Sequence, residues 1–189
     1  MKIFLTLFVL LFSSSVVADD IRDFQIEGMS IGDSLLDYFT KDEIENKKKG
    51  GFVYSDKEFY SSTFHKKPQF ELYDAVQFHL KNMDNKYIIY SFAGDVYYEN
   101  NYDGCVKKLE EILPEIKEMF KNSKVIDGGT EIWKNAKGYD VKTKSYWVIL
   151  PSMDEVSLEC YDIHKEMSIT DNLNISIDSK EFAEWLHTR

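Results

Sequence analysis

The chain holds two cysteines in 189 residues, and each lies in a stretch with a different periodicity. Val106, Leu109, Leu113, Ile116 and Phe120 recur at helical spacing, with Cys105, Ile112 and Met119 beside them. Residues 155–161 alternate instead. Val156, Leu158 and Cys160 fall on one side, and Glu155, Ser157 and Glu159 on the other. Each cysteine therefore sits on the apolar side of its element. A Cys105–Cys160 bridge requires that helix to pack on that sheet face. Closing a loop of roughly 56 residues would stabilise the fold by about 4 kcal/mol in the chain-entropy model.

Such a bridge needs an oxidising compartment, and residues 1–18 read as the route to one. Lys2 precedes an apolar run over residues 3–12. Small residues follow, with Val16 and Ala18 placed for a cut before Asp19. The run is too short for a bilayer span, and no later segment is long and apolar enough. The expectation is a cleaved signal peptide at 1–18 and a single exported domain at 19–189, periplasmic or extracellular. Acidic residues number 33 against 23 basic ones, a net charge of −10. That balance argues against nucleic acid as a partner, since phosphate binding needs clustered Lys and Arg.

The remaining pattern gives the fold class. Phe24-Gln25-Ile26-Glu27 alternates as a short strand. Residues 30–33 and 40–43 each have capping-box spacing, predicting two short helices, one carrying Leu35, Leu36 and Phe39 and the other Ile44. Lys47, Lys48 and Lys49 fall in the last turn of the second, before Gly50-Gly51, where cations suit the negative helix end. Phe70, Leu72, Val76, Phe78 and Leu80 share one strand parity, which places His79 on the outward side. Residues 87–92 continue the sheet, and Gly94-Asp95 reads as a turn before Val96-Tyr97-Tyr98. Pro114 lies inside the long helix and is expected to kink or split it. Asp127-Gly128-Gly129 opens a loop-rich section around Trp133. Strands are expected at 146–150, 155–161 and 173–177. Ser179 caps a last helix with Phe182, Trp185 and Leu186 inward. Strict β-α-β alternation is missing. The class is α+β: an antiparallel sheet with paired short N-terminal helices, one long kinked central helix and a C-terminal helix. The order also allows two similar halves, each a helical unit followed by strands.

Two patterns bear on chemistry. Glu99, Asn101, Asp103 and Glu110 occupy positions 1, 3, 5 and 12 of an EF-hand-type calcium loop, with Gly104 at position 6. Glu at the first position, Lys107 at the ninth and a strand before the loop depart from that pattern. The plainer reading is a strand-to-helix loop with Asp103 as the helix cap. Cys160 and His164 have metal-pair spacing, but one pair is half a site and Cys160 belongs to the expected disulfide. No cofactor is expected. Gly32-Asp33-Ser34-Leu35 resembles the GDSL block of a family of esterases and lipases. That resemblance implies Ser34 as nucleophile and His164 as its partner. The family's D-x-x-H block has only Asp162 before His164, one residue too close, and its oxyanion blocks have no counterpart here.

The block FQIEGMSIGDSLLDYF over residues 24–39 resembles the N-terminal block of small exported bacterial proteins of unknown function. Its Gly28-Met29-Ser30 opening also resembles that of outer-membrane assembly and β-lactamase-inhibitor-like domains, in which two short helices precede an antiparallel sheet. The Gly-x-Pro that closes that opening and the lipidated Cys are absent. The resemblance implies a protein-binding module and carries over no functional residues. The leading expectation is a non-catalytic binding module of the bacterial envelope, with a protein or small-ligand partner. Tyr97, Tyr98 and Tyr102 are its candidate surface aromatics. A hydrolase using Ser34 and a calcium-stabilised domain are the alternatives. Asn174-Ile175-Ser176 forms a glycosylation sequon inside an expected strand.

Overall fold

Strands with one apolar parity need neighbours on both edges and a cover on one face, and the chain supplies both from two similar runs. The structure is a computed structural model describing residues 20–167 and 169–188. The leader read at 1–18 lies outside the described residues. The first run is helix α1 (Lys41–Gly50) followed by β1 (Phe52–Val53), β2 (Phe59–His65), β3 (Ala75–Lys81) and β4 (Ser91–Tyr97). The second is helix α2 (Tyr102–Met119) followed by β5 (Lys124–Lys134), β6 (Asp140–Ile149), β7 (Glu155–Ile163) and β8 (Asn172–Asp178). Helix α3 (Lys180–His187) closes the described chain. The strands form one eight-stranded sheet in the order β1-β2-β3-β4-β8-β7-β6-β5. Every neighbouring pair is antiparallel. The two four-stranded meanders meet where β4 pairs with β8, from Ser91 opposite Asp178 to Tyr97 opposite Asn172.

One face of this sheet is the core. Tyr60, Phe64, Phe78, Leu80 and Phe92 of the first meander and Val156, Leu158, Leu173, Ile175 and Ile177 of the second are all buried. Helix α2 lays Leu109, Ile112, Leu113 and Ile116 into that cluster. Cys105 and Cys160 are joined in a disulfide, with 5.9 Å between their Cα atoms. Phe39 packs over the first meander, stacked on Phe64 at 4.2 Å and edge-on to Phe70 and Phe78. Burial of each such side chain contributes about 1.5–3 kcal/mol. Glu27 ties the N-terminal segment to the sheet. Its carboxylate accepts hydrogen bonds from the backbone N–H groups of Glu71, Leu72 and Tyr73 at 2.9, 2.7 and 2.9 Å.

Several expected elements differ. The first of the paired helices is a 3-10 turn over Leu35–Asp37, capped by Ser34. Only the second, α1, is an α-helix, with the full Thr40–Glu43 capping box and Lys47, Lys48 and Lys49 in its last turn. Residues 24–27 make a single bridge, Ile26 opposite Met29, and no strand. Helix α2 runs unbroken through Pro114 to Met119. Pro114 and Glu110, one turn before it, are both on the exposed side, where water can satisfy the freed carbonyl. Gly94-Asp95 is the middle of β4, not a turn. A Cβ at Gly94 would lie 2.3 Å from the Tyr73 ring, so glycine is there for packing. The expected loop around Trp133 is the long edge strand β5. Its Gly128-Gly129 is a bulge between Asp127 and Gly129, with Gly129 at φ +71°.

The disulfide closes 55 residues of separation between the central helix and the second meander. Replacing both Cys105 and Cys160 by Ala is expected to lower the unfolding free energy by about 4 kcal/mol, read from urea denaturation. A change under about 1 kcal/mol would mean that the bridge constrains little.

Candidate functional site

The second face of the sheet is polar. Along β8, Asn172, Asn174, Ser176 and Asp178 alternate with the core residues Leu173, Ile175 and Ile177. Opposite them on β4 stand Tyr97, Asp95, Ala93 and Ser91. On β7 they face Tyr161, Glu159, Ser157 and Glu155. Helix α3 crosses one end of this face. Phe182 lies 5.2 Å from the Phe59 ring and 4.6 Å from that of His79. Trp185 packs on Phe59 at 4.7 Å, and its indole N–H donates to Asp56. Ser179 caps the helix as the sequence predicted. Beside α3 the face opens into a cavity of about 300 Å³ lined from both meanders.

The polar side chains there form ordered chains of hydrogen bonds. His79 Nδ1 lies 3.1 Å from Ser91 Oγ, and Ser91 also bonds to Asp178. A carboxylate only accepts, so Ser91 gives its proton to Asp178 and accepts one from His79 Nδ1. Ser176 Oγ donates to Asp178 at 3.3 Å and meets Ser157 Oγ at 2.8 Å. Asn174 donates to Asp95 at 2.7 Å. Tyr161 donates to Glu159. Burial pushes Asp95 and Glu159 above their ordinary carboxylate values. It pushes Asp178 up to about 6, against the hydrogen bonds from Ser91 and Ser176. Burial also lowers His79 to about 4, so its ring is neutral at pH 7.

A Ser, a His and an Asp thus meet, but in an order unsuited to acyl transfer. The hydroxyl stands between the other two, and no imidazole nitrogen accepts its proton. The His79–Ser91–Asp178 chain is a hydrogen-bonded floor beneath Phe182.

The residues singled out from the sequence lie elsewhere. Ser34 caps the 3-10 turn, accepting from Leu36 N–H at 3.2 Å and donating to the Lys86 carbonyl at 2.7 Å. His164 stacks on Tyr139 at 4.7 Å, and its Nδ1 accepts from Glu166 N–H at 3.4 Å. No hydrogen bond joins Ser34 to His164. In the calcium-like loop, Asn101 rather than Asp103 caps α2, its side chain accepting from Gly104 N–H at 3.1 Å. Asp103 lies in the first helical turn, and Glu99 and Glu110 are exposed. Among the described residues, no group of three or more His, Cys, Asp or Glu side chains is gathered as a metal site requires. Of the aromatic trio, Tyr97 is 40% exposed on the polar face. Tyr98 and Tyr102 pack against the core instead, and Lys142 Nζ sits 4.0 Å from the Tyr102 ring centre. His79, expected outward and exposed, is outward and buried, because α3 covers it. Asn174, the sequon residue, is inside a central strand.

No family model matches the chain, and no curated protein matches it. Among solved structures, it overlays on cyanobacterial PsbP (CyanoP) from Synechocystis sp. PCC 6803 with a TM-score of 0.34 and 7% identity, over 69% of this chain and 79% of that one. An overlay of that quality carries no weight for fold or function. No helix among the described residues is long and apolar enough to cross a membrane.

Asp178 and His79 bias stability in opposite directions. Asp178 titrates at about 6 in the fold against an ordinary 3.8, so it favours folding below about pH 4 and loses that contribution as pH rises through 6. His79 titrates at about 4 against an ordinary 6.5, so its contribution is present above about pH 6.5 and is lost as pH falls towards 4. Each is worth roughly 3 kcal/mol at about 1.4 kcal/mol per pH unit, and the two offset each other. Asp178→Asn is therefore expected to lose stability steeply from pH 6.5 to 4, and His79→Gln to gain it. Chemical denaturation across that range reads both. Parallel pH profiles for the two variants would contradict the pairing.

Proposed function

We propose that this chain is an exported, non-catalytic binding module whose ligand site is the cavity on the polar sheet face beside α3. One observation carries the reading: the hydrogen-bonding side chains of four central strands converge on a single recess, while the same strands turn Phe78, Phe92, Ile175 and Leu158 into the core on the opposite face. Small-molecule sites are concave, with a few oriented polar groups among apolar walls. Here Asp95, Asn174 and Asp178 supply the polar groups, and Tyr54, Phe182 and Leu186 the apolar wall. Ala93 lies on the floor between the polar rows.

Export is supported by the Cys105–Cys160 disulfide and by the leader read at residues 1–18. A binding role also accords with the likeness of residues 24–39 to the opening of envelope assembly and inhibitor domains. The Ser34 hydrolase reading is disfavoured by the local geometry, in which both hydrogen-bonding roles of that hydroxyl are used to hold a turn.

The cavity reading is tested by native mass spectrometry after incubation with envelope extract. Wild type is expected to retain a small-molecule adduct. Ala93→Leu, which fills the floor, is expected to retain none while keeping a normal circular dichroism spectrum. An adduct that persists in Ala93→Leu, or an extract that yields none for wild type, contradicts the reading.

A further inference from the structure

We infer that the recess beside α3 takes an extended aliphatic amine bearing two or three ammonium groups, with Asp95 receiving one end and Asp178 the other. The inference rests on the binding reading above and assigns its ligand class.

The spacing comes from register. Ser91 pairs with Asp178, and Asp95 lies four residues further along β4. At about 3.4 Å per residue the two carboxylate positions are about 14 Å apart. Between them the floor is made of small residues, since Ala93 stands opposite Ser176. The recess is thus a trough with an acid at each end and a low middle. Tyr54, Phe182 and Leu186 line it as well, giving surfaces on which methylene groups pack and ring faces that attract cations.

Charge fixes the sign of the ligand. Asp95 and Asp178 line the cavity, and Glu159 stands on β7 opposite Asn174, the partner of Asp95. Among the described residues, no Lys or Arg lines it. Lys81, two residues beyond His79 on the same strand face, is paired with Glu181 of α3. His79 is neutral at pH 7, and the proton it carries on Nδ1 is given to Ser91. His65, on the same face near Asp95, meets the Tyr97 hydroxyl at 3.4 Å. The neutral donors Asn174, Ser91 and Ser176 orient the carboxylates without neutralising them. An anion would meet the Asp95 and Asp178 carboxylates, and a neutral diol would leave their charge uncompensated. Ammonium groups at both ends satisfy them, and the chain's net charge of −10 favours encounter with cations.

The test is isothermal titration of the full mature chain with spermidine, n-butylamine, 1,8-octanediol and suberate. Spermidine is expected to bind saturably with one site. Asp95→Asn and Asp178→Asn should each weaken it by at least about tenfold, with unchanged circular dichroism. A variant lacking two exposed helix charges, Glu110→Gln with Glu111→Gln, should bind as wild type does, which separates the trough from general surface attraction. Butylamine should bind at least about tenfold more weakly than spermidine, and the diol and the dicarboxylate not at all. No saturable spermidine binding, or binding unchanged in both aspartate variants, overturns the inference. Diol or suberate binding that Ala93→Leu abolishes overturns the amine while leaving the binding reading intact. A wild type that takes no adduct from the extract, or an adduct that persists in Ala93→Leu, is the outcome that removes the reading itself.

Discussion

Helix α2 is fastened to strand β7 by a disulfide in the middle of the core, and the rest of the architecture follows from that contact. With Cys105 on the helix stripe and Cys160 on the strand's apolar side, the helix covers one face of the second meander. That choice sends Glu155, Ser157, Glu159 and Tyr161 to the opposite face. Because β8 joins β7 to β4, the same division runs across the centre of the sheet. Along β8, Asn172, Asn174, Ser176 and Asp178 reach the polar recess because Leu173, Ile175 and Ile177 between them are drawn to the core.

The core division was legible in the sequence, and the recess was not. The alternation at Val156, Leu158 and Cys160 gave the correct strand and facing, and Ser179, Thr40 and the terminal lysines of α1 marked true helix ends. Failures came where one residue type serves two purposes. Gly94 reads as a turn but is required by the ring of Tyr73, and Gly128-Gly129 reads as a loop but makes a bulge in a long edge strand. The polar parity of β8, Asn172, Asn174, Ser176 and Asp178, was visible in the letters. Its burial depends on α3 and on the pairing of β4 with β8, which connects residues about eighty positions apart and leaves no local trace. His79 shows the same limit: parity placed it outward, and only the fold reveals Phe182 above it.

The proposed binding role rests on what the second face presents. Its buried carboxylates are held by neutral donors, a costly arrangement for a surface with no task, since a buried charge without a counter-charge is disfavoured. The opposed titrations of Asp178 and His79 keep that cost nearly level between pH 4 and 6.5. A ligand carrying positive charge would relieve it directly, and α3 leaves the recess open beside it.

A crystal structure of the protein purified without denaturation from the cells that make it would show directly whether the trough holds a ligand. Ordered density for a non-protein molecule is expected in the trough between Asp95 and Asp178, with α3 against Phe59 and His79. A trough filled by a side chain of the protein itself, or an α3 packed elsewhere with the polar face open to solvent, would contradict it.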